Sequence, residues 1–134
     1  MAGYSGTPLA RKLGIKPSSR IWVKDAPVGY KKLVSPLPDG VVLLTRPGKD
    51  LDLIHVFTKS RKQLAVALPR LMACIKRDGV IWVSWPKRSS GVAGDLSEDG
   101  VREFALPLKL VDVKVCAVDD TWSGLKRVVR KQLR

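Results

Sequence analysis

Short apolar runs bounded by turn residues alternate along this chain with segments whose apolar positions recur at helical spacing. Residues 20–24 (RIWVK), 41–45 (VVLLT), 51–58 (LDLIHVFT), 79–85 (GVIWVSW) and 111–118 (VDVKVCAV) read as strands. The runs at 51–58 and 79–85 are apolar enough to be covered on both faces, as strands of parallel sheets are. Thr7 as N-cap, Pro8 at the first helical position, Leu9, Leu13 and Ile15 predict a short leading helix closed by Gly14 within an N-terminal helical segment, 1–18. Residues 30–34 predict a second short helix, ended by Ser35-Pro36. Ser60 caps a longer one in which Leu64, Leu68, Leu71, Met72 and Ile75 share a face and Arg77-Asp78-Gly79 is the stop. Pro69 removes a backbone donor there, so this helix is expected to kink or to split near Leu68. Ser97 caps the last helix, with Val101, Phe104 and Ala105 as its buried face and Pro107 as its end. Residues 119–124 turn the chain, and 125–131 (LKRVVRK) is β-branched enough to return as an antiparallel partner.

Strands alternating with helices imply an α/β fold: a mostly parallel, Rossmann-like sheet with helices on both faces and a C-terminal antiparallel hairpin strand. At 134 residues, 45% of them hydrophobic, residues 1–134 are expected to form one domain whose core needs no metal or disulfide. There are no internal repeats. Cys74 and Cys116 are far apart and outside any CxxC pair, and His55 is the only histidine, so no metal cage of ordinary spacing assembles. Unpaired cysteines and the lack of an apolar leader after Met1 point to a cytoplasmic setting, and no apolar run is long enough to cross a bilayer.

Charge changes the picture more. Lys plus Arg number 25 against 12 Asp plus Glu, giving +13 at neutral pH. Such a balance favours an anionic partner, a small molecule or a nucleic acid, although a merely solvated basic surface has the same composition. The cations are spread from Arg11, Lys12 and Lys16 to Lys126, Arg127 and Arg134, without an arginine-rich tail.

The element order resembles the Rossmann-like fold of S-adenosylmethionine-dependent methyltransferases, with a shortened first half, over residues 20–134. That resemblance implies a glycine-rich turn after the first strand and an acidic residue after the second, for the cofactor's tail and ribose. Here the first turn, residues 24–29 (KDAPVG), holds one glycine and a proline, and the second, Thr45-Arg46-Pro47-Gly48, holds no acid. S-adenosylmethionine is therefore expected to bind weakly, the cofactor stays unassigned, and no catalytic residue is carried over. Three further stretches, GYSGTPLARKLGIKP, WVSWPK and LVDVKVCAVDDTWSGLKRVVRK, are similar to those of an uncharacterised family of small bacterial proteins, over almost the whole chain.

In open parallel sheets ligands bind beyond the carboxyl ends of the strands. That edge gathers the turns beginning at Asp25, at Thr58, at Pro86 and at Asp119. Trp85, Lys87, Ser89, Asp119, Trp122 and Ser123 there offer flat rings, a cation, hydroxyls and a carboxylate, a set suited to an anionic or planar small molecule. The competing reading makes Trp82 and Trp85 core, Pro86 a strand stop and residues 119–124 an ordinary hairpin turn. His55, mid-strand, reads as a satisfied core histidine rather than a base, and Cys116 as a small buried hydrophobe. A nucleic-acid-associated protein and a degenerate methyltransferase-like scaffold are the alternative functions. The oligomeric state is not encoded in any pattern above.

Overall fold

A computed structural model describes residues 8–129, apart from the side chains of residues 112 and 113. Its elements follow in the order α1 (Leu9–Leu13), β1 (Arg20–Lys24), α2 (Tyr30–Leu33), β2 (Val42–Leu44), β3 (Leu51–Phe57), α3 (Arg61–Cys74), β4 (Ile75–Pro86), α4 (Glu98–Ala105), β5 (Leu110–Ala117) and β6 (Trp122–Val129). The expected cap at Thr7 and the end of the last strand at residues 130–131 lie outside the described residues. No helix among the described residues is long and apolar enough to cross a membrane.

The strands form one sheet in the order β2-β1-β3-β4-β6-β5. The β2-β1, β1-β3 and β3-β4 pairs are parallel, and β6 inserts antiparallel between β4 and β5. Since β5 and β4 are each antiparallel to β6, both run the same way, and the ends of β1, β3, β4 and β5 share one edge. Alternation along each strand then builds two cores. On one face Ile54, Val56, Ile81, Val83, Trp85 and Leu125 pack under α3 and α4. On the other, Ile21, Leu53, Phe57 and Trp82 pack under α1 and α2, with Leu13, Tyr30 and Val34 supplied by those helices or their flanks. Trp82 ties the second layer together by donating from Nε1 to the Leu13 carbonyl at 2.9 Å.

Four details depart from the sequence pattern. Pro69 does not split α3, which runs unbroken over Arg61–Cys74. Pro69 and Ala65, whose carbonyl loses its helical donor, are both exposed, so water meets the freed group. Ile75 and the expected stop at residues 77–79 belong to β4, which begins opposite Leu51 and reaches regular pairing at Val80 after a register shift. Trp122 and Ser123 are the first residues of β6, not of the turn. Arg127 is not part of a solvated basic surface: it is fully buried and its Nη2 donates to the Leu110 carbonyl.

Candidate functional site

The capping residues read from the sequence do their work and, in doing so, occupy the helix starts. The Ser60 hydroxyl accepts from the Gln63 amide at 3.2 Å, and the Asp95 carboxylate accepts from the Arg61 amide at 2.8 Å. The loop after β4 folds back to bring Asp95 there, its amide donating to the Lys59 carbonyl at 2.9 Å. Gly94 permits that approach, since a Cβ in its place would lie 2.8 Å from the same carbonyl oxygen. The first turn of α3 thus offers fewer amides to an anion than an uncapped helix would.

Pairing of β4 with β6 brings the expected site residues to one edge but divides them between the two faces. Ser123 stands opposite Trp85, and Trp122 opposite Pro86. Cross-strand partners share a face and neighbours alternate, so Trp85 and Ser123 point towards α3 and α4 while Trp122 points the other way. Trp85 is only 7% exposed and belongs to the core, so its ring is not a ligand platform. Trp122 meets Phe57 edge-on, with ring centroids 5.0 Å apart. Lys87 donates from Nζ to the Asp119 carbonyl at 2.8 Å and from its amide to the Thr121 carbonyl at 2.7 Å. The Asp119 carboxylate accepts from the amides of Thr121 and Trp122 at 2.8 and 2.7 Å, which is turn chemistry. Ser89 is exposed in a single 3-10 turn, Arg88–Ser90. The polar groups gathered at this end of the edge are largely consumed in holding the β5-β6 turn against β4.

His55 lies at the centre of a buried polar chain. Its Nδ1 is 2.8 Å from the Tyr30 hydroxyl and its Nε2 is 2.7 Å from the Ser84 hydroxyl. A neutral imidazole has one donor and one acceptor nitrogen, and hydroxyls at both ends complement either tautomer. Phe57 stacks on the imidazole at 4.2 Å between centroids. Burial lowers the His55 pKa to about 3 and pushes the Tyr30 phenol well above its usual value. His55 and Ser84 are both 0% exposed, so the chain of hydroxyl, imidazole and hydroxyl is closed to substrate and acts as satisfied core.

An open groove lies elsewhere on the same edge. Beside α3, over the carboxyl ends of β1 and β3, a groove of about 690 Å³ is floored by Trp22, Val56, Leu64 and Leu71. It opens where α3 is the outermost helix on its face, so that Trp22 of β1 and Leu44 of β2 are only partly buried beyond it. Alternation decides this: Ile21 and Val23 turn to the α1 and α2 layer, leaving Trp22 on the opposite side. Asp25, Pro47 and Thr58, each just past a strand end, close the groove's edge. On α3, Lys62, Val66 and Arg70 stand four residues apart and form one wall, with Val66 55% exposed between the two cations. Cys74 lines the groove at the far end of that helix. Lys24 pairs with Asp25 at 2.9 Å, so the wall cations Lys62 and Arg70 are left without a carboxylate partner among the described residues.

The sequence pattern did not single out this groove. Its one signal is an apolar Val66 placed between Lys62 and Arg70 on a helix face that otherwise reads as polar. Trp22 looks like core because its neighbours are, and only the absence of a covering helix beyond α3 leaves it accessible.

No protein-family model matches the chain, and no curated protein does. Solved structures do. A SAM-dependent methyltransferase from Aquifex aeolicus aligns with a TM-score of 0.65 at 14% identity, over 89% of this chain and 86% of that one. A SAM-dependent O-methyltransferase from Thermotoga maritima gives 0.59 at 11% identity, over 92% of this chain and 64% of that one. The complex of DhpI with SAH gives 0.62 at 11% identity, over 96% and 86%. The mostly parallel sheet with antiparallel C-terminal strands has the methyltransferase-like Rossmann architecture, a likeness of fold that assigns no activity to this chain.

Proposed function

We propose that this protein is a small-molecule binding module built on a methyltransferase-like sheet, and that its ligand is a flat ring bearing an anionic group, held in the groove beside α3. The observation that carries the reading is the pairing, in one open groove at the carboxyl edge, of the Trp22 ring with the uncompensated Lys62 and Arg70. A volume of about 690 Å³ lies within the roughly 300–1,000 Å³ of small-molecule sites. A ring stacked on Trp22 gains dispersion and excludes water, and the wall cations of α3 meet the anion. Lys87 and Trp122 of the original set then shape the edge and do not touch the ligand.

S-adenosylmethionine, the cofactor of the fold's namesakes, suits these residues poorly. It carries a sulfonium and an ammonium against a single carboxylate, whereas the groove presents Lys62 and Arg70 and ties its one lining acid, Asp25, to Lys24. The turn after β1 offers one glycine, Gly29, and the turn after β2 places Arg46 and Pro47 where a ribose would need an acid.

Calorimetric titration with adenosine 5′-monophosphate, a flat ring with a phosphate, tests the reading. Trp22→Ala and the double variant Lys62→Gln/Arg70→Gln are each expected to weaken binding at least tenfold, while Lys87→Ala leaves it unchanged. Wild-type binding that survives both groove changes would overturn the proposal. Tighter binding of S-adenosylmethionine than of the monophosphate would return the chain to the methyltransferase reading.

A further inference from the structure

The positive charge that the groove does not use is unevenly placed. Every ion pair among the described residues lies away from the outer part of the α1 face of the sheet. Asp25 pairs with Lys24 at the carboxyl edge and Asp52 with Lys76 near the amino edge. On the α4 side, Glu103 pairs with Arg61, and Glu98 and Asp99 with Arg102. Over β5 and β6, by contrast, the α1 face carries lysines alone among its described charged side chains.

A register shift in β5 creates this arrangement. Leu110 pairs with Val129 and Asp112 with Arg127, after which the register slips so that Lys114 pairs with Lys126 and Cys116 with Gly124. Without the slip Lys114 would follow Leu110 onto the α4 face. With it, Lys114 and Cys116 turn to the α1 face, a re-aiming that β-bulges commonly bring about. Lys114 and Lys126 therefore stand directly opposite one another, a like-charge cross-strand pair that disfavours the folded state. Lys12 of α1 is close enough to act electrostatically on Cys116 together with Lys114, and the Lys126 ammonium lies beside Gly14 at the end of α1. Among the described residues none of the Lys12, Lys114 and Lys126 side chains makes an ion pair or hydrogen bond. Arg11 and Lys16, on and just after the same helix, are exposed.

We infer that this lysine cluster, Lys12, Lys114 and Lys126, is a docking surface for the phosphate backbone of duplex DNA. Converging, unneutralised ammonium groups of this kind match a polyanion whose counterions are released on contact. The aromatics of this face are already engaged, Trp82 opposite Lys126 being fully buried and Trp122 held edge-on against Phe57, so neither offers a free ring for stacking an unpaired base, as single-strand binders require. Nor does the cluster resemble a membrane contact. The exposed large hydrophobic residue of β5, Val115, pairs with Leu125 on the opposite face. The interaction is with backbone charge and shape, without base reading.

Fluorescence anisotropy with a labelled duplex of mixed sequence, measured from 50 to 200 mM salt, tests the surface. Wild type is expected to bind at low salt and to release as salt rises. Lys12→Gln/Lys114→Gln/Lys126→Gln is expected to bind at least tenfold more weakly at low salt, with a log–log salt slope shallower by roughly 2–3, the loss of about three phosphate contacts. This variant relieves repulsion between Lys114 and Lys126 and so is expected to fold at least as stably as wild type, which thermal unfolding checks. The matching Lys→Arg triple variant should keep the slope. Lys49→Gln/Lys59→Gln/Arg88→Gln removes the same charge from exposed positions elsewhere and should change the slope by about one or less. Equal losses in the two Gln variants, no duplex binding at 50 mM salt, tighter binding of a single strand, or binding of phosphatidylserine vesicles in preference to the duplex would each overturn the inference.

Discussion

Lowering the pH from 7 to 5 is expected to destabilise this fold by about 2 kcal/mol through one side chain, His55. The imidazole is fully buried and neutral between the hydroxyls of Tyr30 and Ser84, and burial holds its pKa at about 3, against an ordinary value near 6.5. A base whose folded pKa lies below its unfolded pKa takes up protons first in the unfolded chain. Its contribution is therefore complete above pH 6.5 and is lost as the pH falls towards 3. Linkage over the interval from pH 7 to pH 5 gives about 1.9 kcal/mol, because the unfolded histidine is mostly protonated at the lower pH and the folded one is not. His55 is the only histidine, and most carboxylates titrate below this interval, so the signal belongs to one residue. Urea unfolding at the two pH values measures it, and His55→Gln is expected to flatten the dependence whatever its own cost in stability. Stability unchanged between pH 7 and pH 5, or an imidazole proton resonance titrating near pH 6.5 in the folded protein, would refute the buried-neutral account and reopen His55 as an accessible base.

Two further changes test the layer around that histidine by thermal or urea unfolding. Trp122→Ala is expected to cost about 2–3 kcal/mol, below the range for a fully buried aromatic because Trp122 is half-buried, and a loss under about 0.5 kcal/mol would contradict its packing on Phe57. Gly124→Ala is expected to cost about 1–3 kcal/mol, since the added Cβ would lie 3.2 to 3.3 Å from Trp82, Val118 and Ser84, and a neutral outcome would show that this layer yields more easily than its contacts imply.

Most of the architecture was legible because periodicity is a local signal. The strand over Arg20–Lys24, the caps at Ser60 and Ser97 and the antiparallel return of the last strand all follow from nearest neighbours in sequence. The boundaries that moved did so for tertiary reasons. Ile75 continues the helical spacing of Leu64 and Leu68, yet pairing with Leu51 claims it for β4. Trp122 looks like a turn residue beside Asp119, but that carboxylate accepts its amide and the strand starts at Trp122 itself. The candidate site was legible as an edge and not as a surface. Trp85, Lys87 and Trp122 lie along one edge of the sheet, but their face assignment and internal hydrogen bonds depend on the β4-β6 register, which no local pattern encodes. Trp22 and Lys126 owe their settings to the same kind of cause, one to an uncovered strip of sheet and the other to a slipped partner strand.

The central claim, a planar anion bound in the groove beside α3, is tested most directly by the alkylation rate of Cys74. This thiol lines the groove, whereas Cys116 packs on the opposite face of the sheet and serves as an internal reference. Saturating adenosine 5′-monophosphate is expected to slow iodoacetamide labelling of Cys74 at least fivefold, to leave Cys116 unaffected, and to lose this effect in Trp22→Ala. A monophosphate that binds by calorimetry while Cys74 reacts at its free rate would place the ligand elsewhere and contradict the account.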